Sequence, residues 1–160
     1  MKKIAASVAL STLAATGVEA RPDGSATGQQ ISRVGTRASV AGPEENFTGR
    51  VRVDPLFAAT PEVNASSAYV TFEPGARSAW HTHPAGQRLI VMSGVGLTQE
   101  AGKPIQEIHP GDVIECPPDI KHWHGAAPKT AMTHLAVTGV VNGKSVEWME
   151  KVTDEEYNAR

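Results

Sequence analysis

Turn signals that recur every eight to twelve residues constrain the fold of this chain more than any other feature of its sequence. Pairs such as Pro74-Gly75 and Asn142-Gly143 separate short runs rich in β-branched and apolar residues. The chain has 15 glycines and 11 prolines, but aromatic residues make up only 5% of it. This pattern predicts about ten short strands in an all-β sandwich or barrel. A capping box formed by Thr153 and Glu156 predicts one short C-terminal helix.

Hydrophobic alternation gives the approximate strand positions. We predict an edge strand within residues 31–43, then strands within residues 49–57, 67–72, 87–92, 105–109, 112–116, 120–125, 131–141 and 145–149. We expect the run 49–57 to be closed by Asp54-Pro55. The run 87–92 is apolar on both faces, which is typical of a strand inside a sheet.

The first twenty residues differ in composition from the rest of the chain. Two lysines precede an apolar run that ends at Ala20, with small residues at the spacing that signal peptidase requires. The run is short for a membrane span, which needs about 20 apolar residues. A membrane anchor or a misassigned start of the chain is the alternative. We expect residues 1–20 to be a signal peptide cut near Ala20, 21–48 a flexible or edge segment, and 49–160 a single domain. The mature protein would then be periplasmic or secreted.

Charge and cysteine content narrow the possible partners. The 160 residues carry a formal net charge of -2 and no basic run, so nucleic acid and membrane surfaces are poor partners. Cys116 is the only cysteine, which excludes an internal disulfide. A buried, small apolar role is favoured for Cys116 over a reactive or metal-bound thiol. A small-molecule substrate is the expected partner.

Two His-x-His pairs stand out, His81 with His83 and His122 with His124. Alternate side chains of a strand point to one face, so each pair presents two imidazoles on the same side. A Pro-Ala-Gly turn after His83 returns the amide of Gln87. Three imidazoles and an amide suit a mononuclear transition-metal site with open positions for water or substrate.

The stretches around the two pairs resemble the two sequence motifs of the cupin family. The first motif, G-x5-H-x-H-x3,4-E-x6-G, is matched by Gly75, His81, His83 and Gly94, and the second, G-x5-P-x-G-x2-H-x3-N, by Gly111, Pro117 and His122. Three positions depart from the motifs: Gln87 stands for Glu, Asp119 for Gly, and Ala126 for Asn. The resemblance implies a single-domain jelly-roll fold with a short C-terminal helix. It also implies the metal ligands His81, His83, Gln87 and His122.

A narrower resemblance covers residues 51–157. The segments VRVDPLF, PGARSAWHTHPAGQ, GDVIECPPDIKHWHGAAP, TAMTHLA and VEWMEKVTDEEY are similar to the small manganese-dependent cupin hydroxynitrile lyases of bacteria, which share the Gln ligand. This resemblance implies Mn(II) as the cofactor and cyanohydrin cleavage or formation as the reaction. It also implies substrate contacts from Ala68, Val70 and Thr138, and a homodimer or higher homo-oligomer. The N-terminal signal peptide is not part of that pattern.

The ligand set indicates the type of chemistry. A neutral amide in place of a carboxylate leaves the centre one charge more positive, which favours Lewis-acid chemistry over oxygen activation. The nitrogen ligands would also accept Fe, Ni, Cu or Zn. His124, on the face of His122, and His134, on the face of Thr138, are the candidate general bases.

Structural roles are the alternatives for several of these residues. A structural hydrogen bond is the alternative for His124, and a satisfied core position is the alternative for His134. Trp80 and Trp123 are expected to pack in the core, and His109 to be a solvated turn residue. Two other function classes also remain open, namely another metal-dependent cupin enzyme, such as a dioxygenase or a sugar or keto-acid isomerase, and a non-catalytic metal- or ligand-binding periplasmic cupin.

Overall fold

The computed structural model describes residues 28–159, so the predicted signal peptide at 1–20 lies outside the described residues. All strands and the helix belong to one compact unit, Arg33–Arg160. Residues 28–32 are exposed and contain no strand or helix. Within the described part of the chain, no helix has the length and apolar character needed to cross a membrane.

Six antiparallel strands form the first sheet. They are β1 (Val40–Ala41), β3 (Val51–Phe57), β4 (Ala65–Phe72), β7 (Gln87–Gly94), β10 (Val113–Cys116) and β12 (Met132–Gly139). Their order across the sheet is β1-β3-β4-β12-β7-β10. The apolar strand β7 therefore lies inside the sheet, between β12 and β10, as its composition predicts.

Seven shorter strands form the second sheet. They are β2 (Phe47–Thr48), β5 (Arg77–Ser78), β6 (His81–Thr82), β8 (Gly96–Glu100), β9 (Gln106–Ile108), β11 (His122–Ala126) and β13 (Glu147–Trp148). Strand β11 pairs with β5 and β6 on one side and with β8 on the other. Strands β2, β13 and β9 then extend the sheet from β5, β6 and β8.

The two sheets face each other across a common apolar core, which confirms the predicted β-sandwich. Phe72, Val91 and Met132 of the first sheet pack in one cluster with Phe47 and Ala126 of the second. Along β12 every second residue from Met132 is buried and the residues between are half-buried, as the alternation predicts. Burial of these side chains supplies the main driving force for holding the sheets together.

A second core cluster joins the C-terminal helix α1 (Asp154–Asn158) to the sandwich. It contains Trp80, Leu97, Trp123, Val152 and Tyr157. Both hydrogen bonds of the Thr153–Glu156 capping box are present, each side chain accepting from the backbone N–H of the other residue, so the predicted helix start is confirmed. The packing role expected for both tryptophans is confirmed as well.

Some strand limits differ from the sequence-based expectation. Strand β3 does not end at Asp54-Pro55 but continues to Phe57, with an irregularity in the pairing after Pro55. Proline is tolerated there because β1 pairs with Arg52 and Val53, so Pro55 lies beyond the end of β1, where β3 needs no backbone N–H for strand pairing on that side. The predicted turn at Asn142-Gly143 is confirmed, with φ angles of 51° and 78°.

Candidate metal centre

Three of the predicted ligands come together on neighbouring strands of the second sheet. His81 on β6 lies directly opposite His122 on β11, and His83 follows β6 in the chain. One ligand nitrogen from each of the three imidazoles lies within 4.8 Å of the others, which is close enough to hold a metal ion. All three side chains are buried.

Backbone carbonyl groups fix how the three imidazoles are oriented. Nδ1 of His81, His83 and His122 lies 2.9, 2.6 and 2.8 Å from the carbonyl oxygens of Ala79, Ser145 and Ile120, respectively. Because a carbonyl can only accept, each Nδ1 carries the proton and each Nε2 keeps its lone pair. Nε2 of His83 and of His122 is buried without a hydrogen-bond partner. Such pre-oriented lone pairs are what a divalent metal requires of imidazole ligands.

Gln87 adds an oxygen donor to the same region. It begins β7 and lies directly opposite Thr138 on β12. Its Nε2 donates to Thr138 Oγ1 over 3.0 Å, whereas its Oε1 is buried without a partner. An amide oxygen in this state is free to ligate a cation. The residues present therefore fit a metal held by three imidazoles and one amide oxygen.

Burial keeps the imidazoles in the form that binds a metal. Burial is the main cause that lowers the pKa of His122 to about 4. Burial also lowers the pKa of His83, against smaller opposing effects of the Ser145 carbonyl and Gln87. The pKa of His81 lies well below its usual range because of burial first and the neighbouring His122 second. All three rings are therefore neutral near pH 7, the state in which imidazole coordinates metals.

All but one of the predicted site residues line one cavity of about 540 Å³ between the sheets. Its wall includes the predicted ligands His81, His83 and Gln87, the candidate bases His124 and His134, and the predicted substrate residues Ala68, Val70 and Thr138. His122 is not part of this wall, although its ligand nitrogen lies beside those of His81 and His83. Residues from distant parts of the sequence are thus brought to one chamber.

His124 and His134 form a hydrogen-bonded pair deep in that cavity. His124 Nδ1 lies 3.2 Å from His134 Nε2, and the two residues are 5 and 0% exposed, respectively. The outward nitrogens of the pair, His124 Nε2 and His134 Nδ1, are buried without partners. Burial lowers the pKa of His134 to about 3, and burial followed by His134 lowers the pKa of His124 well below its usual range. The pair is therefore neutral and has an unused nitrogen at each end.

The His124 ring also lies close to the metal ligands. Its centroid is 5.1 Å from that of His81 and 6.0 Å from that of His122. Trp123, between the two histidines in sequence, points into the second core cluster instead. The expected alternation of this strand is confirmed, and it places His124 beside the centre.

Two aromatic residues of the cavity wall were not predicted as site residues. The Trp148 ring lies 4.9 Å from the His81 ring and 5.5 Å from the Phe47 ring, measured between centroids. Trp148 is 38% exposed and pairs with His81 across β13 and β6. The alternation of Val146 and Trp148 indicates that these two side chains share one face of a strand. It does not reveal which strand the short β13 would join, so it does not place Trp148 in the site.

Other residues singled out in the sequence lie where they were expected. Cys116 is buried, and burial raises the pKa of its thiol to about 11, so it is not a reactive thiol at neutral pH. His109 is exposed and paired with Glu107. Asp119, which replaces the motif glycine, has a φ of 61°, in the left-handed region that favours glycine. Its backbone N–H donates to the carbonyl oxygen of His83 over 3.0 Å and ties the two motifs together.

Comparison with known proteins agrees with this architecture. The model of the Cupin domain family matches residues 68–138. A curated (R)-mandelonitrile lyase from Granulicella tundricola is 59% identical over 128 residues, which cover 80% of this chain and 98% of that protein.

Solved structures show the same fold. A cupin-like protein from Thermotoga maritima is 42% identical with a TM-score of 0.71, covering 82% of this chain and 96% of its own. A cupin 2 conserved barrel domain protein from Rhodopseudomonas palustris is 20% identical with a TM-score of 0.60, covering 76% of this chain and 81% of its own, and supports the fold alone. This chain therefore belongs to the cupin family.

Proposed function

We propose that this cupin is a metal-dependent lyase that cleaves or forms cyanohydrins, with Mn(II) as its metal. One observation carries the proposal: two imidazoles of the cluster able to hold a metal, His81 and His83, line the same cavity as the neutral His124–His134 pair. The 59% identity to a protein named (R)-mandelonitrile lyase supports this choice among cupin reactions.

His81, His83, His122 and Gln87 would hold the metal. When bound, it would act as a Lewis acid that stabilises negative charge on an oxygen atom or on cyanide. All four donors are neutral, because burial lowers the pKa of the imidazoles and an amide carries no charge. These side chains therefore leave the full metal charge available to an anion.

His124 is the proposed general base. When its Nδ1 donates to His134 Nε2, its own Nε2 keeps a lone pair that has no hydrogen-bond partner among the described residues. This Nε2 takes the hydroxyl proton of the cyanohydrin while the carbon–cyanide bond breaks and its electron pair leaves with cyanide. The hydroxyl oxygen becomes the aldehyde carbonyl, and His124 returns the proton to cyanide as HCN. The reverse steps add HCN to an aldehyde.

The shape of the cavity suits an aryl or alkyl aldehyde. Ala68 and Val70 are small side chains on its wall, while Phe47 and Trp148 supply aromatic surface. A volume of about 540 Å³ lies within the usual range for small-molecule sites. Apolar walls would bury the substrate side chain and leave the polar end among the histidines.

The test is release of benzaldehyde from mandelonitrile by protein loaded with Mn(II). We expect His124→Gln to lower the turnover rate by about 10²- to 10⁴-fold while metal content is unchanged. His109→Gln, a change at an exposed histidine that is not part of the described cavity wall, serves as the matched control and should keep full activity. A Mn(II)-loaded protein no faster than its His122→Ala variant would overturn the proposal for this substrate.

We also propose a periplasmic or secreted, homo-oligomeric mature form. The sequence pattern of residues 1–20 supports the location. The resemblance to small cupins, which usually form dimers, supports the oligomer. Mass measurement of protein recovered from its own compartment should give a chain that starts at Arg21. Light scattering on the same sample should give at least twice the mass of one chain, and a single-chain mass would contradict the oligomer.

A further inference from the structure

The hydrogen bond between Gln87 and Thr138 has a consequence for the metal site. We infer that the Thr138 hydroxyl is a positioning group, which holds the Gln87 amide with its oxygen free to ligate. The inference rests on the metal site of the proposed function. It changes the role expected for Thr138 from a substrate contact to a support of the metal ligand.

The geometry ties the two side chains together. They lie directly opposite each other on the adjacent strands β7 and β12, and each is 8% exposed. Gln87 Nε2 donates to Thr138 Oγ1 over 3.0 Å, and Gln87 Oε1 remains buried and unpartnered. The unpartnered atom is thus the one that can bind a cation.

An amide needs such a partner more than a carboxylate does. Either oxygen of a glutamate can ligate a metal, whereas glutamine can ligate only through Oε1. In the ligating orientation the buried NH₂ group needs an acceptor, since an unsatisfied buried donor is unfavourable. Thr138 Oγ1 supplies that acceptor. If Oγ1 is removed, the metal-free amide can turn and donate to the lone pair of His83 Nε2 instead.

Loss of the hydroxyl should therefore weaken metal binding without touching a ligand. Thr138→Val keeps the side-chain shape but removes the acceptor, and Thr138→Ser restores it. Partners that orient metal ligands typically contribute about 10- to 100-fold in affinity. We expect Thr138→Val to raise the Kd for Mn(II) by this factor, and Thr138→Ser to stay within a few-fold of the wild type.

The experiment is a titration of the full metal-free protein with Mn(II), followed by the EPR signal of free and bound ion. Gln87→Ala gives the spectrum of a centre without the amide ligand. Thr133→Val is the matched control, because Thr133 lies on the same strand but its hydroxyl bonds to Thr71 at 2.9 Å, away from the cavity. Thr138→Ala is a second variant should Thr138→Val fail to fold.

The outcomes separate the inference from the proposed function. The bound-ion spectrum of Thr138→Val should shift toward that of Gln87→Ala, which a merely structural role would not produce. If Gln87→Ala weakens binding but Thr138→Val and Thr138→Ala bind like the wild type, the positioning role is wrong. If Gln87→Ala itself binds Mn(II) like the wild type, Gln87 is not a ligand and the proposed four-ligand centre fails.

Discussion

Replacing Arg77 with methionine tests how the C-terminal segment is held on the sandwich. Arg77 is 5% exposed, and its Nε and Nη2 donate to the Val152 carbonyl oxygen over 3.1 and 3.0 Å. Nη2 also donates to Asp154 over 2.6 Å, and the guanidinium carbon lies 4.7 Å above the Tyr157 ring. One side chain thus contacts three parts of the C-terminal segment.

The size of the effect follows from these contacts. Loss of charged hydrogen bonds to a carbonyl that becomes unsatisfied costs about 1.5–3 kcal/mol, and loss of the shielded cation–π contact costs up to about 2 kcal/mol. The ion pair adds little because the Asp154 side chain is 82% exposed. Methionine also removes a buried charge, which offsets part of the loss. We expect the free energy of unfolding to fall by about 2–4 kcal/mol.

The assay is urea unfolding of the metal-free full chain, followed by tryptophan fluorescence. Arg88→Met is the matched control, because Arg88 pairs with Glu115 over 3.3 Å with side chains 67 and 69% exposed. We expect that control to lose less than about 1 kcal/mol. If Arg77→Met loses no more than Arg88→Met, the buried guanidinium does not hold the segment and the reasoning is refuted.

Three further predictions concern single residues. Burial raises the pKa of the Cys116 thiol to about 11. At pH 8 iodoacetamide should therefore alkylate the native protein at least ~100-fold more slowly than the unfolded chain. Equal rates would contradict this prediction. Asp119→Gly should raise the free energy of unfolding in urea by up to about 1 kcal/mol, since the left-handed φ of 61° suits glycine; a clear loss would show that the Asp119 side chain itself contributes. Bound Cu(II) should quench Trp148, whose ring lies 4.9 Å from His81, and Trp148→Phe should remove most of the quenching.

The longer strands could be predicted because their side chains alternate over enough residues to show a period of two. Strand β12 has eight residues, and its predicted range exceeds the observed one by only one or two residues at each end. The face that carries His134 was predicted correctly as well. Strands β2, β5 and β6 have two residues each, too few for any period to appear. Their existence depends on pairing with distant segments, which a local pattern does not record.

The site, like the fold, was predictable only in part: the ligand side chains could be predicted from the sequence, but the groups around them could not. Imidazoles and an amide at fixed spacing are visible in the sequence, and the cavity brings those of His81, His83 and Gln87 together. The carbonyl groups that orient the histidines are not visible, since every residue has one and only the fold selects that of Ser145 for His83. The pairing of His124 with His134 likewise depends on two strands from opposite sheets.

The charge balance of the cavity links these observations to the proposed reaction. Within the described residues, its wall contains no Asp, Glu, Lys or Arg, and its ionisable groups are histidines whose pKa values burial lowers. A divalent ion bound to such a wall would receive no counter-charge from the wall itself, so an anion in the cavity would supply one. Cyanohydrin cleavage develops negative charge on the hydroxyl oxygen and on the departing cyanide. Acetate or thiocyanate should therefore compete with substrate in the metal-loaded protein, and Gln87→Glu, which adds one negative charge beside the metal, should weaken that competition.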